Sequence, residues 1–367
     1  MYRYFNEFPD YIINSRAAGR MRSMENTADS LPYETEIIAD NLVIPWAIAF
    51  SDDGRIFFTE RPGRIRQIID GRLQPQPLIT FEAPFISEGE GGLMGIALDP
   101  GFMDNHFIYA MYSYAEDSQF YNRVVRLIEQ DNRAYIDRIL MDRIPGSRYH
   151  DGGRIKAGPD GKLYITAGDS ANPSLAQDIT SNAGKILRIN TDGSIPEDNP
   201  FPGSPVYSYG HRNPEGLAWD GSNQLYESEH GQTAHDEINR IMAGGNYGWP
   251  LVQGDMDISD ITVQKPLIHS GDITWAPSGI TFVSRGPWQG KLLVTALRGE
   301  ALLVMTLNED GTAVEKTESW LENQFGRLRE AVEGRDGSIY LATSNMDGRG
   351  NLRSNDDKII RLVPKPD

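Results

Sequence analysis

Cysteine is absent from the 367 residues, which excludes disulfides, thiolate metal sites, thiol nucleophiles and redox-active thiol pairs together. The absence leaves the compartment open, because a chain of this length can bury enough core to do without cross-links. Long apolar runs are missing too. None approaches the roughly 18 residues needed to cross a bilayer, so no membrane insertion is expected. The N-terminal stretch MYRYFNEFPDYIINSRAAGRMRSMENTADS lacks the continuous apolar centre of a secretory signal. Either the protein stays inside the cell or the printed start is not that of the natural precursor. Positive charge is in deficit, with 35 Lys and Arg against 52 Asp and Glu and a net charge of −17. That balance argues against nucleic acid or an anionic membrane as partner, since both need a basic face. Any anionic ligand must be met by a local cluster of arginines. Helical periodicity is scarce as well.

What is present is a repeat rich in turn residues, in a chain with 37 Gly and 22 Pro. An alternating apolar segment, a turn carrying Asp, Gly or Asn, and a second apolar or aromatic strand recur along the sequence. The copies are WAIAFSDDGRIFFTE from Trp46, GLMGIALDPGFMDNHFIYAMYS from Gly92, GRIKAGPDGKLYITAGD from Gly153, EGLAWDGSNQLYESEHG from Glu215, SGITFVSRGPWQGKLLVTAL from Ser278 and REAVEGRDGSIYLATSN from Arg329. Several run on into a further strand, such as GRIRQII or KIIRLV. A lone four-stranded sheet cannot bury both faces, so the units must stack around an axis, and about six close a ring. The expected fold is all-β, a six-bladed β-propeller with four-stranded antiparallel blades over residues 31–367; an open β-sandwich pair is the competing architecture. YETEIIADNL, Tyr33 to Leu42, is expected to complete the last blade and lock the two ends of the chain. Residues 1–30 show no repeat and are expected to form a flexible extension.

In such a ring the loops between blades gather at one end of the channel, where sites are grafted. His150 precedes the third repeat; YGHRNPEGL precedes the fourth and SEHGQTAHDEINRI follows its second strand; GRLRE leads into the sixth. Singly these segments read as turns, solvated loops or strand-face salt bridges, and their shared place in the repeat is what brings them together. Glu229, Asp236 and Glu237, with nearby Gly and Asn carbonyls, are oxygen donors that suit calcium better than zinc, although they match no EF-hand spacing.

The segments NLVIPWAIAF, EGGLMGIALDPGF, YHDGGRI, GKILRINTDGSIPEDNPF, YGHRNPEGLAWD, EHGQTAHDEIN and NYGWP together resemble the soluble aldose sugar dehydrogenases that depend on pyrroloquinoline quinone (PQQ), relatives of soluble quinoprotein glucose dehydrogenase. The resemblance runs from Tyr33 to the C-terminus. It implies a six-bladed propeller, an extracytoplasmic setting, PQQ and calcium as cofactors, an aldose substrate oxidised at its anomeric hydroxyl to a lactone, and an external electron acceptor. It implies that His150 is the base for that hydroxyl, with Asp169 orienting its ring; imidazole, with an ordinary pKa of about 6.5, suits the task. Arg212 and Asn213 match the pair that contacts the quinone, and Arg212 would stabilise charge developing on its oxygen. Arg327 and Arg329 match paired arginines that meet the cofactor's carboxylates, and Arg298 stands where lysine is common. Glu90 stands near the sugar, where some members carry glutamine. The resemblance places calcium on the carbonyls of Gly231 and Gln232, the latter replacing a family proline, and a second, structural calcium at Glu237 and the carbonyl of Tyr247.

Two other readings remain open at this stage. A non-catalytic propeller could bind a protein or glycan, yet would have no reason to assemble His150, Arg212, Asn213, Arg327 and Arg329. A calcium-dependent lactone hydrolase would need metal held mainly by side-chain carboxylates in the central channel. The preferred sugar and the choice between monomer and homodimer are not written in these patterns.

Overall fold

A computed structural model describes residues 25–26 and 30–366. Its strands form six antiparallel sheets of four principal strands each. Blade 1 runs from Pro45–Phe50 through Ile56–Glu60 and Arg64–Ile69 to Arg72–Leu73, and blade 2 from Leu93–Leu98 to Arg133–Pro145. Blades 3, 4 and 5 begin at Ile155–Ala157, Pro214–Trp219 and Pro277–Phe282. Blade 6 comprises Leu328–Glu333, Ile339–Thr343 and Ile359–Pro364, and takes its fourth strand, Tyr33–Ala39, from the other end of the chain. The inner strands of neighbouring blades pack on one another, blade 3 meeting the inner strand of blade 4 through its second strand, and the inner strand of blade 6 meets that of blade 1, so the ring closes. The expected propeller and its terminal closure are both found. The expected flexible extension lies outside the described residues, apart from Glu25–Asn26, which pair in parallel with Glu318 and Ser319 on the outer strand of blade 5.

Local sequence accounts for the blades. The second strands are the most apolar, and IFFTE, LYITA, LLVTA and IYLAT are buried at every position, as expected of strands covered on both faces by neighbouring blades. The turn before them is set by an aspartate that accepts a backbone N–H two residues on: Asp53 from Arg55, Asp160 from Lys162, Asp220 from Ser222 and Asp336 from Ser338.

The end of each second strand carries a buried hydroxyl: Thr59, Ser113, Thr166, Ser228, Thr295 and Thr343. All but Thr343 bond backbone groups at the inner strands, most of which bulge, since register shifts interrupt the first strand pair of every blade but the third. Thr59 accepts the Ala47 N–H and donates to the Met94 carbonyl of the next blade, and Ser228 donates to the Ser278 carbonyl in the same way. One side chain thereby satisfies a bulged backbone and ties two blades together.

The axis is held by charge. Arg154, at the entrance to blade 3, pairs with Glu330 of blade 6 on the far side of the ring, and each is only 1% exposed. The Arg154 guanidinium lies 4.2 Å over the Trp46 ring of blade 1, and its Nε donates to the Glu215 carbonyl of blade 4. Glu215 in turn accepts from Ser278 of blade 5 and Arg329 of blade 6. Removing one partner of a buried pair strands the other charge. Glu330→Gln is therefore expected to cost about 3–5 kcal/mol of stability, read as a lowered midpoint in chemical denaturation, and Arg154→Met added to it should recover most of the loss. A Glu330→Gln midpoint equal to that of the wild type would contradict this account of the axis.

Candidate active site

The inter-blade loops converge at one mouth of the channel on a cavity of about 550 Å3. Its wall carries six arginines, Arg61, Arg212, Arg298, Arg327, Arg329 and Arg349, together with Glu90, His150, Glu215, His230, Gly231, Gln232, Asp236 and Asp347. An acidic protein has concentrated cations here. Of the residues singled out in the sequence, Glu90, His150, Arg212, Gly231, Gln232, Arg298, Arg327 and Arg329 reach this wall. Asn213 stands behind it, where its Oδ1 accepts the Gly152 N–H at 3.0 Å and so fixes the loop that carries His150. Asp169 also lies behind the wall, fully buried against His150. Glu237 and Tyr247 line a separate space of about 10 Å3 beyond Arg212 and Gly231, with room for one water or ion.

The geometry of His150 follows from its loop. Its backbone is left-handed, with φ of 62°, and its N–H donates to Glu90 Oε2 at 2.8 Å. The turn has no space for side chains: a Cβ on Gly168 would lie 2.0 Å from the His150 carbonyl oxygen. The ring Nδ1 meets Asp169 Oδ1 at 2.7 Å, and Asp169 Oδ2 accepts the indole N–H of Trp249 at 2.8 Å. With Nδ1–H donating to a fixed carboxylate, Nε2 is the basic nitrogen, and it makes no hydrogen bond among the described residues. Trp249 also lies 5.4 Å beneath the Arg212 guanidinium, so one indole positions both groups.

The EHG loop is built with equal economy. Asp236 accepts the N–H groups of Gly231, Trp275 and Ala276 at 2.7–2.9 Å. A Cβ on Gly231 would come 1.9 Å from the Ala234 carbonyl oxygen, so the turn requires glycine. Neither the Gly231 nor the Gln232 carbonyl accepts a hydrogen bond among the described residues. Beneath this loop His211, Glu227 and Glu229 bring ligand atoms within 4.8 Å of one another. Burial and the Glu229 carboxylate push Glu237 up to about 8, and the same two causes raise Glu227 well above the carboxylate range.

The charged wall divides into paired and unpaired groups. Burial would raise Asp347, but Arg327 and Arg329 outweigh it and hold the carboxyl below its ordinary value. Arg327 binds Asp347 at 2.9 Å, Arg329 binds Glu215 at 2.9 Å and Arg349 binds Glu90 at 2.7 Å. Sequence reading missed Arg61, His230, Asp347, Arg349 and Trp249. A signal existed for three of them: Arg61, His230 and Asp347 follow the second strands of their blades within four residues, in the same stretch of the repeat as Asp169 and Arg298.

Asp151, adjacent to His150 in sequence, points away from it. Its Oδ1 accepts from Asn122 at 2.9 Å and from the Ser147 N–H at 3.2 Å, while Oδ2 is buried without a partner. Burial pushes its carboxyl from 3.8 up to about 7 against those two hydrogen bonds. The folded chain thus holds this proton to higher pH than the unfolded chain does. The group's contribution to stability is complete below about pH 4 and is lost as pH rises through about 7. Asp151→Asn keeps an acceptor but cannot ionise, so it is expected to raise the denaturation midpoint at pH 8 more than at pH 4. An equal effect at both pH values would contradict the assignment.

Comparison with known proteins shows the family of the chain. The family model described as Glucose / Sorbosone dehydrogenase matches residues 42–359. The aldose sugar dehydrogenase of Escherichia coli K12 is 31% identical over 339 residues, covering 85% of this chain and 90% of that protein. Quinoprotein glucose dehydrogenase B of Acinetobacter calcoaceticus is 32% identical over 318 residues, covering 74% of this chain and 65% of its own length. Among solved structures, the PQQ-bound aldose sugar dehydrogenase of Streptomyces coelicolor is 37% identical and superposes with a TM-score of 0.81, covering 90% of this chain and 98% of that one. The chain belongs to the glucose/sorbosone dehydrogenase family and is an oxidoreductase.

Proposed function

We propose that this protein is a PQQ- and calcium-dependent aldose sugar dehydrogenase that oxidises the anomeric hydroxyl to a lactone and passes electrons to an external acceptor. The observation that carries the reading is the buried His150–Asp169 pair set against a cavity walled by arginines. The wall suits PQQ, whose three carboxylates need fixed cations. Among the described residues the Nε atoms of Arg61, Arg212 and Arg329 are buried there without hydrogen-bond partners, and the volume is that of a small-molecule site. Arg212, Arg298, Arg327 and Arg329 would hold the cofactor. The free carbonyls of Gly231 and Gln232 suit a hard cation beside it. Glu237, the Tyr247 carbonyl and Glu227 would hold a second cation, and the unpartnered Glu227 Oε1 and Asn239 Oδ1 supply oxygen that such an ion would satisfy.

PQQ, when bound, supplies the two-electron acceptor for the anomeric hydrogen, and calcium beside it supplies positive charge. The chain's own residues manage the proton. His150 Nε2 accepts the proton of the anomeric hydroxyl, which makes loss of hydride from the same carbon easier as the oxygen becomes anionic. Asp169 fixes the tautomer through Nδ1 and stabilises the imidazolium that forms, while Trp249 keeps Asp169 in place. Arg212 lines the cavity against the Trp249 ring, where it can stabilise negative charge on an acceptor oxygen. Glu90 is held by the His150 N–H and Arg349. Burial would raise its carboxyl, but the His150 N–H and Arg349 outweigh it and lower it overall, so it stays an ionised acceptor for a sugar hydroxyl.

Purified protein reconstituted with PQQ and calcium should convert the quinone spectrum to its reduced form on addition of an aldose and should reduce a dye with turnover. No PQQ uptake and no turnover on any of a panel of aldoses would sink the proposal. His150→Gln should lower kcat by roughly 10²–10⁴-fold while leaving PQQ affinity near that of the wild type. Unchanged kcat would remove His150 from its role.

A further inference from the structure

The arginines of the cavity are not equivalent. Arg327, Arg329 and Arg349 each sit against a carboxylate of the protein. Arg298 is exposed at the rim, and Arg212 rests on Trp249 and donates to the His230 carbonyl. Arg61 has no hydrogen bond or ion pair among the described residues, and its Nε is buried. Its place is nevertheless firmly set. The Arg61 N–H donates to the Ile44 carbonyl, its own carbonyl accepts from Leu93, and a Cβ on neighbouring Gly92 would lie 2.6 Å from Arg61 Cγ. The stem is therefore confined between blades 1 and 2 while the guanidinium faces the cavity. Burial and the nearby Arg329 charge both disfavour its cation, and Asp347 and Glu90 offset this only in part.

A half-buried cation held in place without a partner is costly in a folded protein, and a bound anion would compensate it. We infer that Arg61 anchors the quinone cofactor by binding one of its carboxylates, an inference that rests on the PQQ reading above. The planar, forked guanidinium matches a carboxylate in two parallel hydrogen bonds. The sugar is the weaker candidate, because an aldose is neutral and would leave the charge uncompensated.

The test is a PQQ titration of wild type, Arg61→Gln and Arg61→Lys, followed by absorbance at two salt concentrations, with unfolding midpoints measured without and with PQQ. Arg61→Gln should weaken PQQ binding tenfold or more and flatten its salt dependence, and Arg61→Lys should recover part of the affinity. Without PQQ, the Arg61→Gln midpoint should equal or exceed that of the wild type, because a stranded cation has been removed. The rise in midpoint on adding PQQ should shrink. At saturating PQQ the KM for the aldose should change little. Unchanged PQQ affinity with a raised KM would assign Arg61 to the sugar, and a lowered midpoint without PQQ would make it a structural residue; either result overturns the inference. Wild-type protein that takes up no PQQ would overturn the functional reading as well, whereas wild-type binding with unaltered Arg61→Gln affinity overturns this inference alone.

Discussion

The pairing of Arg154 with Glu330 spans 176 positions of sequence and the width of the channel. A propeller's blades touch their neighbours through apolar faces, but among the described residues no buried apolar cluster joins blade 3 to blade 6, which stand on opposite sides of the axis. The charged cluster supplies that link, and it does so directly beneath the cavity. Glu215 and Arg329 belong to both structures: they are partners in the axial network and residues of the cavity wall. The floor of the site therefore moves only if the centre of the ring moves. This rigidity is what a hydride-transfer site needs, because small errors in the position of reacting groups are expensive in rate.

The loops above that floor are held by backbone geometry rather than by bulk. His150 sits in a left-handed conformation between glycines that admit no Cβ, Gly231 turns under the Ala234 carbonyl, and Asp236 gathers three N–H groups from two blades. The hydroxyls of Thr59, Ser228 and Thr295 at the ends of second strands perform the matching task lower down, bonding backbone groups of inner strands that bulge.

The repetition of the blades explains what the sequence discloses and what it hides. Alternating apolar segments with Asp-Gly turns make the blades legible, and the terminal closure follows because YETEIIA is a strand without a blade of its own. His150, Arg212, Arg327 and Arg329 stand out because they occupy the same place at the entrances to different repeats. Arg61 and Asp347 lie just past the second strands of their repeats, but ERPGR and NMDGR look like ordinary turns until the strand ends are located. The axial network was beyond reach for another reason. Arg154, Glu215 and Glu330 lie in three different repeats, and no pattern within one strand says which charges will meet across a ring. Trp249 was quoted only as part of NYGWP; its contact with Asp169 joins residues 80 positions apart through a loop with no periodicity.

The unsatisfied groups of the molecule carry the final step of the argument. Most buried polar atoms in a folded protein find partners, so those that do not call for a cause. Here Arg61, Arg212 and Arg329 leave Nε atoms bare around the cavity, and Glu227 and Asn239 leave oxygens bare beneath the EHG loop. The two sets have opposite signs of need: the first wants an anion, the second a cation. A protein with a net charge of −17 repels anions at a distance, so its affinity for a tricarboxylate must come from short-range contacts inside a desolvated pocket. The pattern of incomplete bonding is thus a negative image of an anionic organic ligand accompanied by a hard cation. That pattern persists in the folded chain because the rigid ring prevents the bare groups from turning to each other.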